Sequence, residues 1–244
     1  MMGDADVAAA AALLAEPARA ALVVAIISEG SLPASELAAR ARIASSTASE
    51  HLARLVDGGF LVATRRGRHR YFELADPGVA EAVEALSVIA PQRPVRSLKE
   101  ATTSELIREA RTCYDHLAGR LGVALALGIE QRGMIVRREG TYVTGPNAEP
   151  RFAALGVDLE ALARVRRPLI RGCLDWSERE LHVAGALGAA LTARLFELGS
   201  IKRREGSRAV AITDSGRELL GNLGVDIDAV NDRDRSLASA LRRT

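Results

Sequence analysis

Aromatic side chains make up only 3% of the 244 residues. A ring-filled core is therefore excluded, and Ala, Leu and Val must supply the packing, as they do between helices. Cysteine is scarcer still, with Cys113 and Cys173 the only two. Two thiols make no disulfide scaffold and suit a reducing, cytoplasmic setting. No run of about 18 uncharged apolar residues occurs, which leaves no candidate membrane-spanning helix. The apolar opening, Ala8 to Leu14, resembles a secretory h-region, but Asp4 and Asp6 stand where its basic flank belongs. A Gly-rich phosphate loop and a strand–loop–helix nucleophile motif are also missing, so no enzyme and no cofactor is expected.

Charge of one sign is lacking overall, at a net +2, but its distribution is uneven. Residues 1–93 hold nine arginines against eleven carboxylates, and four of the nine are Arg65, Arg66, Arg68 and Arg70. Residues 94–244 hold 24 basic against 20 acidic side chains. Within the first part, periodicity predicts a helical stretch over Val7 to Ile27, broken near Pro17 and ended by Gly30. A short helix, Ala34 to Ala41, follows Pro33. Ser45 or Ser46 is a good N-cap for a next helix, Thr47 to Asp57, with Ala48, Leu52, Leu55 and Val56 on its inner face. Gly58-Gly59 ends it. Phe60 to Ala63 and Tyr71 to Leu74 read as two strands joined by an arginine-glycine turn. Two helices at a tight turn followed by a hairpin predict a winged helix-turn-helix.

Such a helix enters a major groove through its N-terminal half, where short polar side chains allow close approach. Ser45, Ser46, Thr47, Ser49, Glu50, His51 and Arg54 are the candidate contacts there. Arg65, Arg66, Arg68, His69 and Arg70 would grip the flanking phosphates from the hairpin. The expected partner is double-stranded DNA, read as a palindrome by a homodimer. A solvated hairpin beside a purely structural helix pair is the plainer alternative.

The stretches PARAALVVAIISEG, SELAARARIASSTASEHLARLVDGGFLV and RRGRHRYFEL resemble the ArsR/SmtB-family winged-helix repressors. That resemblance covers the first 90 or so residues. It implies a dimer pairing through its first and last helices, here Val7 to Leu14 and Val79 to Ile89, and an effector that releases DNA. Metal sensors of that family carry ligands before the recognition helix or in the last helix. Those places read SELAARA and DPGVAEAVEALSVIA, with neither Cys nor His. The effector must act elsewhere.

Beyond a linker at Pro91-Gln92-Arg93-Pro94 the chain resembles itself. HLAGRLGVALALGIEQRGMIVRREG (116–140) and HVAGALGAALTARLFELGSIKRREG (182–206) share thirteen of twenty-five positions without a gap. The expectation is a mainly α chain with small β-hairpin wings. A winged helix-turn-helix (1–93) is followed by a duplicated effector-sensing domain (94–244), its winged-helix-like units at about 97–162 and 163–230. Each copy reads as a helix ending at Gly133 or Gly199 and then a hairpin whose basic turn is a further candidate for DNA contact. Gly119, Gly122, Gly185 and Gly188 suggest close helix–helix approach or helix ends. The charge-mixed tail, NDRDRSLASALRRT, carries no reading.

Both cysteines and half the histidines gather in two places: Cys113, Tyr114, Asp115 and His116, then Cys173, Asp175, Trp176 and His182. Four readings are open. Cys, Asp and His can be structural. They can line a pocket for an organic effector with Tyr114 and Trp176. They can form a Cys2His2 zinc or related soft-metal site. The two thiols can be a redox switch. The organic pocket is the leading expectation, since no CxxC or HxxxH spacing is present and the two motifs are unequally separated; no metal ligand is assigned. The whole then reads as a DNA-binding repressor released by a small organic effector. A metal- or thiol-responsive repressor is its alternative, a docking protein or a cysteine enzyme its rivals.

Overall fold

The computed structural model describes residues 4–91, 94, 97–205 and 207–231. The expected linker lies partly, and the tail beyond Asn231 wholly, outside the described residues. Contacts divide the chain between Leu86 and Ser87, upstream of the boundary expected after Arg93.

In the N-terminal unit, Asp6 caps helix α1 (Val7–Leu14) by accepting from the Ala9 amide. Helix α2 (Pro17–Glu29) starts on its proline and turns 88° from α1. Arg19 holds that corner by donating to the carbonyls of Leu13 and Ala12. No described helix is long and apolar enough to cross a membrane by itself. Gly30, at φ 80°, ends α2. Strand β1 (Leu32–Pro33), helix α3 (Ala34–Ala41) and helix α4 (Ser45–Asp57) follow. The hairpin β2 (Leu61–Arg66) and β3 (His69–Leu74) then completes a three-stranded antiparallel sheet, ordered β1-β3-β2. Helix α5 (Pro77–Ile89) follows, and its last three residues fall beyond the division. Leu22, Ile26, Leu37, Leu52, Leu55 and Phe72 are buried.

Three local expectations need correction. Helix α4 begins at Ser45 on an Ala44 N-cap without a side-chain cap, and Ser45 lies in its first turn. The Ser49 hydroxyl donates back to the Ser45 carbonyl instead. The hairpin is longer than expected: pairing continues from Leu61↔Leu74 to Arg66↔His69, so Arg65, Arg66 and Arg70 are strand residues. Only Gly67 and Arg68 turn, with Gly67 at φ 60°. Strand β1 was not foreseen, because two residues show no periodicity.

The C-terminal unit opens with helix α6 (Leu98–Glu109). Hairpin β4 (Arg111–Cys113) and β5 (His116–Ala118) leads into α7 (Gly119–Gln131). Hairpin β6 (Ile135–Arg138) and β7 (Thr141–Thr144) and helices α8 (Ala148–Ala154) and α9 (Leu159–Ala163) follow. The same order then recurs as β8 (Arg171–Leu174), β9 (Leu181–Ala184), α10 (Gly185–Glu197), β10 (Ile201–Arg203), β11 (Val210–Ile212), α11 (Asp214–Asn222) and α12 (Ile227–Asn231). His116 and His182, which the sequence places at the head of helical segments, stand on β5 and β9. One core joins both stretches through Leu121, Leu125, Phe152, Leu187, Leu191 and Leu220. It is almost wholly aliphatic, as the scarcity of rings requires.

The four helix glycines mark helix starts and close approaches to strands, not a helix–helix seam. Gly119 and Gly185 open α7 and α10 at φ 74° and 83°. A Cβ on Gly122 would lie 2.5 Å from the Leu117 carbonyl oxygen and 3.6 Å from the His182 Cβ. One on Gly188 would meet the Val183 carbonyl and come within 3.2 Å of the His116 Cβ. Each helix thus lies against the histidine of the other stretch. Gly188→Ala is expected to cost about 1–3 kcal/mol. A urea midpoint equal to that of the parent chain would contradict this packing account.

Candidate functional site

Two groups of residues carry chemistry, one in each unit. In the N-terminal unit, Ala48, Leu52 and Leu55 anchor α4 in the core. That 3.6-residue spacing turns Ser45, Ser46, Thr47, Ser49, Glu50 and Arg54 outward, and all six are exposed. His51 is half-buried, with a buried Nδ1 that meets no partner. Arg54 pairs with Glu50 one turn back at 2.8 Å. On the hairpin, Arg65, Arg66, Arg68, His69 and Arg70 are all exposed. Arg66 lies over the Tyr71 ring at 5.1 Å and within 4.0 Å of Glu73, while Arg70 lies over Phe72 at 5.1 Å. Rings under the guanidinium groups restrain the side chains without neutralising them.

In the C-terminal unit the two short hairpins bring their polar residues together. Cys113 pairs across the ladder with His116, and Cys173 with His182. Cross-strand partners project on one face, so each hairpin presents one sulfur and one imidazole side by side. The first hairpin turns through Tyr114, at φ 58°, and Asp115. The second runs on past the Leu174↔Leu181 pair into a longer loop, residues 175–180. Extra loop residues therefore separate the second pair in sequence while leaving it paired in space.

The ligand atoms of Cys113, His116, Cys173 and His182 all lie within 4.8 Å of one another. The two Sγ atoms are 4.0 Å apart and the two Nε2 atoms 3.1 Å apart. Cys113, His116 and His182 are buried and Cys173 is half-buried. Behind each imidazole stands an aspartate. Asp115 meets His116 Nδ1 at 3.2 Å and takes an ion pair from Arg167 at 2.6 Å. Asp175 lies 3.5 Å from His182 Nδ1.

Asp175 does more than face a histidine. It accepts from Arg111 at 2.8 Å, from the Gly119 amide at the start of α7 at 2.7 Å, and from the Ser177 hydroxyl at 2.8 Å. Burial opposes its charge, but Arg111 and His182 outweigh that and hold its carboxyl well below the usual range. Arg111 is fully buried and stacks on Trp176 at 4.6 Å. Trp176 is thereby taken up as the cover of an ion pair. Tyr114 and Asp115 are half-buried on their turn. The bond with Cys113, helped by both imidazoles and opposed by burial, pulls the Cys173 thiol far below its ordinary range. Burial disfavours charge on His116, yet Asp115 and Cys173 together raise it. Arg111, Arg167 and Ser177 had not been singled out from sequence; isolated polar residues carry no pattern.

The basic turns of the C-terminal hairpins are partly engaged within the unit. Arg137 pairs with Glu180 at 3.2 Å, and Arg203 lies over Phe196 at 4.9 Å.

Residues 14–63 match the helix-turn-helix domain family HTH_20. Over 212 residues the chain is 40% identical to an uncharacterised HTH-type transcriptional regulator, YdfF, of Bacillus subtilis (strain 168), a match covering 87% of this chain and 94% of that protein. Among solved structures, the homodimeric winged helix-turn-helix domain Mb0332 of Mycobacterium bovis is 23% identical, with 40% of this chain and all of that one covered and a TM-score of 0.33. The cadmium sensor CMTR of Mycobacterium tuberculosis is 31% identical, covering 38% of this chain and 99% of its own, with a TM-score of 0.31.

Proposed function

The chain belongs to the HTH-type transcriptional regulators, and from that premise we propose that it is a homodimeric, cytoplasmic repressor whose grip on a palindromic operator is set by its C-terminal unit. One observation carries this reading: the polar, exposed N-terminal half of α4 lies in the same small unit as a hairpin bearing four exposed arginines. The first inserts into a major groove and reads base edges, while the second holds the phosphates on either side. For the dimer, support comes from α1, none of whose residues is buried although its sequence is VAAAAALL, and from Leu86 and Ile89 on α5, 47% and 78% exposed. These are the two helices that the resemblance to ArsR/SmtB regulators assigns to pairing. An effector in the C-terminal unit would favour a dimer geometry in which the two α4 helices no longer match half-sites one helical turn apart.

Selection of bound sequences from random duplexes tests the reading directly. An enriched palindrome is expected. Recovery of unselected DNA, or no salt-sensitive retention of any duplex, would leave a docking protein as the better reading. Ser49→Ala is expected to relax preference at one base pair of each half-site by about 1–3 kcal/mol. Equal weakening on every sequence would remove Ser49 from base reading. Leu86→Asp is expected to shift the sedimentation equilibrium from dimer towards monomer, and an unshifted dimer would place the pairing surface elsewhere.

A further inference from the structure

We propose that Cys113, His116, Cys173 and His182 form a closed, four-coordinate site for one thiophilic divalent cation, zinc foremost, which clips hairpin β4–β5 to hairpin β8–β9. Acting as a sensor, the site would make the effector an inorganic cation, and in that respect alone it rests on the regulator reading; as a metal centre it stands by itself.

Three observations converge on it. The first is the donor set. Two sulfurs and two imidazole nitrogens, all within 4.8 Å of one another, form a donor set of a size for a single ion. Two thiolates with two imidazoles suit zinc and its softer congeners; magnesium and calcium demand oxygen. The second is distance. With bonds of about 2.05 Å to nitrogen and 2.3 Å to sulfur, an Nε2–Nε2 gap of 3.1 Å and an Sγ–Sγ gap of 4.0 Å correspond to angles of about 98° and 121°. These fall on either side of the tetrahedral value. The third is the outer layer. Asp115 and Asp175 stand behind the two Nδ1 atoms, at 3.2 and 3.5 Å. A carboxylate bonded to Nδ1, as Asp115 is to His116, keeps the proton there and turns the Nε2 lone pair towards the ion, the usual support of a histidine ligand. The buried His182 Nδ1 makes no hydrogen bond, and Asp175 faces it as a charge at 3.5 Å. Two Nε2 lone pairs at 3.1 Å repel each other unless a proton or a cation lies between them.

All four coordination positions come from the protein, so no open position remains for a reacting water, and the centre is a clip or sensor without hydrolytic chemistry. Its ligands come in equal parts from the two similar stretches, and each α-helix that follows a hairpin lies on the histidine of the other stretch. Loading the ion therefore acts on the packing of the whole unit. The site lies outside the two segments, SELAARA and DPGVAEAVEALSVIA, where the ArsR/SmtB resemblance would put a metal.

Cobalt(II) is the probe, added to the full chain after reduction and removal of bound metal by a chelator. The expected result is one equivalent bound per chain, with the intense visible absorption of four-coordinate cobalt and a near-ultraviolet thiolate-to-cobalt charge-transfer band. Both are expected to vanish in Cys173→Ser and His182→Gln, and zinc should bleach them in the parent chain. Far-ultraviolet circular dichroism checks that the variants remain folded. Weak six-coordinate absorption, absorption that persists in both ligand variants, or a reduced chain that binds no cobalt would overturn the proposal. The readout does not involve DNA, so a chain that loads cobalt but retains no duplex would count against the regulator reading alone.

Discussion

Asp175→Ala is expected to destabilise the C-terminal unit by about 3–5 kcal/mol, the cost of leaving one member of a buried ion pair without its partner. Arg111 has 1% of its side chain exposed and Asp175 none, so neither can turn to water when the other is removed. The loss extends further. The Gly119 amide at the start of α7 would lose its acceptor, and the Ser177 hydroxyl and amide theirs. Asp175→Asn, which keeps the shape and part of the hydrogen bonding, should cost less than the alanine. The pH dependence has a definite sign. The folded-state pKa of Asp175 is depressed, so its stabilising contribution is complete above the ordinary carboxylate range and disappears as pH falls towards the folded value. Replacing both partners, Arg111→Met with Asp175→Leu, is expected to be milder than the sum of the single changes, because no charge is stranded. Denaturant unfolding of the four chains completes the cycle. A cost below about 1 kcal/mol for Asp175→Ala would mean that water reaches the pair and that it is no internal strut.

The N-terminal unit was legible because its signals are local. Apolar residues at Ala48, Leu52 and Leu55, a double glycine after Asp57, and an arginine-rich turn each act over a few residues, and together they define the module. The errors there have the same origin: a cap serine and a strand end are decided by one hydrogen bond each. The C-terminal cluster was legible only as a list of residues. Its geometry depends on two hairpins of three or four residues, too short to show a strand period. It depends also on a register, Cys173↔His182, that survives the loop at residues 175–180. Unequal sequence spacing argued against metal, and the ladder removes that objection, because only the paired ends must meet. Trp176, the chain's lone tryptophan in a polar segment, suggests a ligand wall from sequence; in the structure it stacks on Arg111, whose charge is matched by Asp175.

Replacing Arg65, Arg66, Arg68 and Arg70 together by alanine is expected to weaken binding to every duplex, cognate or not, with little change in fold stability, since all four side chains are exposed. Each phosphate contact released lowers the slope of log affinity against log salt by about 0.9. If all four touch phosphate, the slope falls by about 3.6 per protomer and by about 7.2 for the dimer. The contributions are unequal. Arg66 shares its charge with Glu73 at 4.0 Å, so its single replacement should cost less than that of Arg68 at the turn. The corresponding lysine chain separates charge from shape. Lysine keeps the counterion release and thus most of the salt slope, but gives up the planar stacking of Arg66 on Tyr71 and Arg70 on Phe72. A lysine chain that binds with parental slope and reduced affinity is therefore the expected middle case. Anisotropy titrations at several salt concentrations give all three slopes. An alanine chain with the parental slope would remove the hairpin from the phosphates and leave α4 alone to hold the DNA, and a single helix end has too few cations for that task.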